Sequence, residues 1–145
     1  MKIVLIIPAR YQSSRFPGKP LTYILGKAMI ERVHQRCALA FPADKIYVAT
    51  EDVRIMDFCT SAQIQSVLTS DHCLTGTDSV AETAEIVDAD VYINVQGDEP
   101  VFNPDDLMVL LEKVEENPNH VYCGYCEIEE DKRFNSRYTL KLVVG

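Results

Sequence analysis

Short hydrophobic runs alternate with longer segments of helical spacing along this chain. Residues 3–7 form a continuous run of Ile, Val and Leu, which is typical of a strand buried on both faces of a sheet. Similar short runs predict further strands at 45–49, 64–68, 91–95, 121–128 and 138–144.

The segments between these runs predict four helices. In the first, from Ala28 to Ala40, the residues Ile30, Val33 and Cys37 recur on one face. The second predicted helix is short, is capped by Asp52 and buries Ile55, Met56 and Cys59. The third covers about 79–87 and starts with the capping-box pair Ser79 and Glu82. The fourth is capped by Asn103, has Pro104 at its first position and carries on one face Leu107, Leu110, Leu111 and Val114.

This alternation of strands and helices predicts an α/β fold with a doubly wound, mostly parallel sheet. We expect residues 1–145 to form one nucleotide-binding α/β domain. The sequence ends directly after a strand-like run with no closing helix. We therefore expect this domain to be the N-terminal part of a longer protein, with the fold incomplete at its C-terminus.

Composition and charge exclude some classes of function for this protein. The 145 residues are 47% apolar and carry a net charge of −8, so broad nucleic-acid binding, which needs a basic face, is not expected. No apolar run reaches the roughly 20 residues of a membrane span, and the start lacks a signal-peptide pattern. With five cysteines, an odd number, these features predict reduced thiols in the cytoplasm. The pair Cys123 and Cys126 is interpreted as structural thiols.

Three unusual loops follow predicted strands, at 8–20, 69–77 and 96–100. Open α/β sheets bind ligands at the carboxyl ends of their strands. The first loop gathers Arg10, Arg15 and Lys19 in an acidic protein, a composition that suits a polyphosphate. It lacks the glycine pattern of the Walker A and dinucleotide-binding loops. The alternative is an ordinary solvated basic loop.

The loop 96–100 offers a metal ligand, and the loop 69–77 offers groups that could hydrogen-bond to a nucleotide base. Asp98 and Glu99 follow the fourth strand, and Mg²⁺ binds through one or two carboxylates together with phosphate oxygens. The alternative is an exposed acidic turn. The loop 69–77 is rich in small hydrogen-bonding groups that suit the edge of a base, and its His72 is interpreted as structural.

These segments together resemble a known family, the CMP-Kdo synthetases (3-deoxy-manno-octulosonate cytidylyltransferases). The resemblance begins with Ile7-Pro8-Ala9-Arg10-Tyr11 and continues through Phe16-Pro17-Gly18-Lys19-Pro20. The later matching segments are Gly26-Lys27-Ala28-Met29-Ile30, Val48-Ala49-Thr50, Thr69-Ser70-Asp71-His72, Gly76-Thr77-Asp78, Asn94-Val95-Gln96-Gly97-Asp98-Glu99-Pro100, Phe134-Asn135 and Lys141-Leu142-Val143-Val144. Related acylneuraminate cytidylyltransferases share the opening but do not usually carry the Gln-Gly-Asp-Glu-Pro stretch.

The resemblance implies a nucleotide-diphospho-sugar transferase-like fold and a reaction in which CTP and a 2-keto sugar acid give a CMP-sugar and pyrophosphate. It also implies a role in lipopolysaccharide biosynthesis, with the full-length protein as a homodimer. By matching position, Arg10, Arg15 and Lys19 are the catalytic residues that hold the triphosphate, and Asp98 binds Mg²⁺. The residues that would line the cytidine site are Pro8, Ala9, Ser70, Gly76, Thr77 and Gln96.

Two residues depart from the family pattern, the first as a packing difference only and the second with a consequence for the substrate. Ala28 stands where the family usually has Pro, and Ser79 stands where it usually has Arg. The missing cation near the cleft leaves room for a sugar acid other than 3-deoxy-manno-octulosonate. Two alternatives to the reaction as a whole remain: another sugar nucleotidyltransferase or glycosyltransferase, and a truncated domain that binds nucleotide without turnover.

Overall fold

A computed structural model of the chain describes residues 1–13 and 15–125. The chain divides into two compact units, Met1–Met108 and Val109–Gly145. The strands are β1 (Ile3–Pro8), β2 (Tyr23–Ile24), β3 (Lys27–Ala28), β4 (Ile46–Thr50), β5 (Gln65–Leu68) and β6 (Val91–Asn94). The helices are α1 (Met29–Ala38), α2 (Val53–Ser61), α3 (Gly76–Ile86) and α4 (Pro104–Glu116), with short 3₁₀ turns at Lys19–Leu21 and Ala43–Lys45.

Four strands form a parallel sheet in the order β5-β4-β1-β6. The chain first moves outward from β1 through β4 to β5 and then returns across the sheet to β6. Right-handed connections, the rule for parallel strands, put α1 and α2 on one face and α3 on the other. This arrangement confirms the predicted α/β fold. It also places the reversal of strand order between β1 and β6, which is where open α/β sheets bind ligands.

The core lies on both sides of β1. Leu5, Ile6 and Ile7 are fully buried, as their continuous apolar run predicts for a central parallel strand. Ile30 and Val33 of α1 are also fully buried. The strand ends that carry the loops are therefore fixed by a dry, close-packed core.

The start of α3 corrects one prediction. The helix begins at Gly76 rather than at about residue 79, and its cap is Thr75. Thr75 Oγ1 accepts the amide hydrogen of Asp78 at 3.2 Å, and the Asp78 carboxylate accepts the Thr75 amide at 2.7 Å. Because this reciprocal pair satisfies the first turn, Ser79 is not a cap. Ser79 is buried inside the helix, 2% exposed.

A small antiparallel hairpin, β2 and β3, was not predicted. Its two turn residues, Leu25 and Gly26, both have positive φ angles, 48° and 83°, and leucine is an unusual residue in that conformation. The Arg32 guanidinium of α1 holds the turn by donating to the carbonyl oxygens of Ile24 and Leu25 at 2.6 and 2.7 Å.

The predicted C-terminal strands are only partly covered. Residues 121–125 contain no regular strand in the described part of the chain. The rest of the predicted strand 121–128, the predicted strand 138–144 and Cys126 lie outside the described residues. Among the described helices, none has the length and apolar character needed to cross a membrane.

Candidate active site

A cleft of about 860 Å³ opens at the carboxyl ends of β1 and β6. Three sides come from the three loops singled out by the sequence. Pro8 and Ala9 end β1, Gln96 and Asp98 follow β6, and Gly76 begins α3. The cleft thus lies at the point where the strand order reverses.

Two glycines allow the walls of this cleft to approach each other. A Cβ atom on Gly97 would lie 2.5 Å from the Pro8 carbonyl oxygen, a separation that real Cβ atoms essentially never show. A Cβ on Gly76 would lie 3.3 Å from the Gln96 side-chain amide and from Pro8 Cγ. The ends of β1, β6 and α3 therefore meet at contact distance, and glycine is the residue that permits it.

The first loop brings its cations to the cleft. Arg10, Arg15 and Lys19 all line it. The Arg10 guanidinium donates to the Leu74 carbonyl oxygen at 2.7 Å, which ties the first loop to the loop before α3. The closing turn of the first loop is set by Gly18, whose amide donates to the Tyr11 carbonyl at 2.8 Å with a φ of +71°.

Glu51, at the end of β4, holds the first loop from behind. One of its carboxylate oxygens accepts the backbone amides of Tyr11 and Gln12 at 3.0 and 3.2 Å. Beside it, the Arg54 guanidinium stacks 3.3 Å above the Tyr11 ring and pairs with Asp52 at 2.6 Å. This pair lowers the pKa of Asp52 and raises that of Arg54. Sequence reasoning missed Glu51 because its partners lie 40 positions away.

Lys19 and Asp98 form an ion pair across the mouth of the cleft. Lys19 Nζ donates to Asp98 Oδ2 at 2.8 Å, with the two side chains 38% and 54% exposed. The predicted phosphate ligand and the predicted metal ligand are thus each other's partner in the structure.

The loop before α3 is organised by Glu82. Its carboxylate accepts the Ser70 amide at 2.7 Å, the Ser70 hydroxyl at 2.8 Å and the Cys73 thiol at 2.9 Å. These bonds, that from Cys73 first, lower the pKa of Glu82. The pKa of the Cys73 thiol is raised, first by burial and then by its bond to Glu82. Sequence reasoning had assigned Glu82 to a cap instead.

Eight of the ten residues predicted for the site line the cleft: Pro8, Ala9, Arg10, Arg15, Lys19, Gly76, Gln96 and Asp98. Ser70 and Thr77 are not among the described residues that line it. Ser70 is bonded to Glu82, and Thr77 is an exposed residue in the first turn of α3. The predicted structural residue His72 is exposed in the same loop, beside Asp71.

The side chains that line the cleft fit a Mg²⁺ ion that is bound together with a phosphate group. Residues 1–13 and 15–125 contain no group of three or more potential metal ligands, so they form no ready-made cage. Mg²⁺ usually keeps several waters and takes one or two carboxylates plus substrate phosphates. Asp98 lines the same cleft as the three cations Arg10, Arg15 and Lys19. The cleft therefore offers one carboxylate for the metal beside cations that suit the phosphates.

A family model described as "Cytidylyltransferase" matches residues 4–143. The curated relatives agree with it. The 3-deoxy-manno-octulosonate cytidylyltransferase of Syntrophotalea carbinolica is 45% identical over 118 residues, covering 81% of this chain and 47% of the relative. The enzyme of the same name from Escherichia coli is 37% identical over 144 residues, covering 99% and 58%.

A third relative carries a different sugar in its name. The 8-amino-3,8-dideoxy-manno-octulosonate cytidylyltransferase of Shewanella frigidimarina is 45% identical over 121 residues, covering 81% of this chain and 49% of the relative. The chain therefore spans about half the length of the curated relatives it matches.

Solved structures give the same result. CMP:2-keto-3-deoxy-manno-octonic acid synthetase complexed with CTP superposes with a TM-score of 0.78 at 40% identity, covering 82% of this chain and 49% of that one. A cytidylyltransferase from Leptospira borgpetersenii, with a TM-score of 0.71 at 19% identity and covering 82% of this chain and 51% of that one, shares the fold.

Proposed function

Because this chain belongs to the cytidylyltransferase family, we propose that it supplies the nucleotide-binding part of an enzyme that transfers CMP from CTP to a 2-keto sugar acid and releases pyrophosphate. The observation that carries the proposal is the cleft at the β1–β6 junction. It gathers Arg10, Arg15 and Lys19 in a chain of net charge −8, and a solved relative is complexed with CTP.

In this proposal, the anomeric hydroxyl of the sugar acid attacks the α-phosphorus of CTP. Arg10, Arg15 and Lys19 bind the triphosphate and stabilise the charge that builds up on the departing pyrophosphate. Once these cations hold the triphosphate, positioning and electrostatics are proposed to supply most of the rate enhancement, as in other phosphoryl transfer.

The cytidine is proposed to lie against the end of β1 and the start of α3. Pro8, Ala9 and Gly76 provide a narrow surface there, and the Gln96 side-chain amide offers both a donor and an acceptor. Ser70 and Thr77 are proposed to border the base from the adjoining loop and helix turn, with Ser70 held in place by Glu82.

Asp98 is the proposed ligand of Mg²⁺. When bound, the metal supplies positive charge that neutralises the phosphate oxygens. With Asp98 holding the metal, Lys19 would be available to donate to a phosphate oxygen.

The sugar acid is proposed to be 3-deoxy-manno-octulosonate or a close relative, as in the names of the matched enzymes. We further propose that the whole protein is a cytoplasmic homodimer that serves lipopolysaccharide biosynthesis. Light scattering of the full-length protein tests the dimer.

Since the chain spans about half of its relatives, a nucleotide-binding domain without turnover of its own is the second candidate.

Pyrophosphate release tests the proposal and separates the two candidates. The full-length protein that contains this sequence is expected to release pyrophosphate only when CTP, Mg²⁺ and a 3-deoxy-manno-octulosonate-type acid are all present. CTP binding without pyrophosphate release for either named sugar acid would favour the second candidate. Release with ATP in place of CTP would contradict both.

A further inference from the structure

The Glu82 carboxylate acts as the anchor of the loop 69–75. It lies in α3 and accepts hydrogen bonds from both the backbone and the hydroxyl of Ser70, at 2.7 and 2.8 Å, and from the Cys73 thiol at 2.9 Å. Three donors from two positions of the loop therefore converge on one side chain. A shift of the loop by an ångström away from Glu82 would break at least one of these bonds, because N–H···O and O–H···O hydrogen bonds span donor–acceptor distances of only about 2.5–3.2 Å.

The same loop holds Arg10. The Leu74 carbonyl, next in the chain to Cys73, accepts the Arg10 guanidinium at 2.7 Å. On the other side of Leu74, the Thr75 amide is fixed by the Asp78 carboxylate at 2.7 Å. The carbonyl that receives Arg10 is thus clamped between two carboxylates of α3, neither of which lines the cleft among the described residues.

We infer that Glu82 is a positioning residue: through Ser70, Cys73 and the Leu74 carbonyl, it sets the direction in which Arg10 enters the cleft. This inference rests on the proposed function insofar as Arg10 contacts the triphosphate. An arginine binds phosphate through a planar fork of donors, so its orientation determines how many of them reach the anion. Glu82 controls that orientation without touching the nucleotide.

The role requires the charge and both oxygens of Glu82. As a carboxylate it accepts all three bonds, and these bonds lower the pKa of Glu82 because they favour its charged form. Glutamine would replace one acceptor oxygen with an NH₂ group that faces the donors of Ser70 or Cys73. We expect the loop to move away and the Leu74 carbonyl to turn with it.

Two readouts test the inference in wild type, Glu82→Gln and the matched control Glu85→Gln, an exposed residue of the same helix. The first is the NMR signal of the Arg10 Nε–H group without ligand. It is expected to shift in Glu82→Gln and to stay unchanged in Glu85→Gln. The second is CTP affinity by calorimetry, expected to fall about tenfold in Glu82→Gln, the scale of one lost charge-assisted hydrogen bond.

A double-mutant cycle separates positioning from general weakening of the fold. In an Arg10→Ala background, Glu82→Gln is expected to lower CTP affinity clearly less than in the wild-type background, since no guanidinium remains to be oriented and only the effect on Ser70 is left. If Glu82→Gln does not fold, Cys73→Ala removes one donor to the same carboxylate and is expected to give a smaller shift of the Arg10 signal.

The outcomes are distinct. An unchanged Arg10 signal, or an equal loss of CTP affinity in both backgrounds, overturns the inference. If the Arg10 signal shifts as expected but the wild-type chain binds no CTP, the positioning of Arg10 is supported and the proposed function fails.

Discussion

Replacing Asp98 with Asn is expected to change CTP binding in opposite directions with and without Mg²⁺. With Mg²⁺, affinity is expected to fall by more than about tenfold, because the substitution keeps the shape and removes the negative charge that holds the metal. Without Mg²⁺, affinity is expected to rise. Asp98 accepts a hydrogen bond from the Lys19 ammonium at 2.8 Å, and the loss of its charge makes this cation more available to the triphosphate.

Calorimetry in Mg²⁺ and in EDTA measures both effects, and Glu99→Gln is the matched control. Glu99 is the next residue in the chain and is exposed, and its described hydrogen bonds are made by its backbone: its amide donates to the Gln96 carbonyl, and its carbonyl accepts the Phe102 amide. It is expected to change CTP affinity by less than about threefold in either condition, as is typical of exposed charges. Equal small losses in both variants would show that the metal is held elsewhere.

Replacing Gly97 with Ala is expected to damage stability and binding together. The added Cβ would lie 2.5 Å from the Pro8 carbonyl oxygen, and the obstacle is backbone rather than the end of a flexible side chain. The ends of β1 and β6 must separate, and the free energy of unfolding is expected to fall by about 2–3 kcal/mol, the upper range for overpacking. CTP affinity is expected to fall as well, because Pro8 and Asp98 move apart.

Urea denaturation and calorimetry test this pair of effects. Gly124→Ala is the control, because a Cβ at that position meets no atom of the described residues within 4 Å, and it is expected to change stability by less than about 0.5 kcal/mol. A Gly97→Ala protein with wild-type stability and wild-type CTP affinity would mean that the close approach of the two strands is not required.

The parallel sheet could be predicted from sequence because its signal is local. The apolar run at 3–7 leaves no polar face, so it had to be a central strand, and Leu5, Ile6 and Ile7 are fully buried in β1. The caps Asp52 and Asn103 were also readable, since each accepts an amide two positions ahead. Signals of this kind depend only on neighbours in the chain.

The start of α3 was misplaced because two capping patterns overlap. Ser79 and Glu82 fit the spacing of a capping box as well as Thr75 and Asp78 do. The structure uses the earlier pair, since Gly76 must lie against Pro8 and Gln96 at the cleft. The two capping pairs fit the local sequence equally well, and tertiary packing determined which of them begins the helix.

The positioning contacts of the site could not be predicted in the same way. Glu51 meets the first loop across 40 positions, and Lys19 meets Asp98 across 79. Nothing in a single sequence states which distant carboxylate will face which loop. The residues that line the cleft were identified through their place at strand ends, whereas the groups that hold those loops in position depend on the completed fold.

Calorimetric titration with CTP, UTP, ATP and GTP in the presence of Mg²⁺ measures which nucleotide the cleft selects. We expect CTP to bind at least about tenfold more tightly than each of the other three, because a cleft that hydrogen-bonds one base leaves polar groups unpaired with another. We also expect this preference to weaken in a Gln96→Ala variant. Tighter binding of ATP or GTP, or equal binding of all four nucleotides, would contradict the assignment of the cleft to CTP.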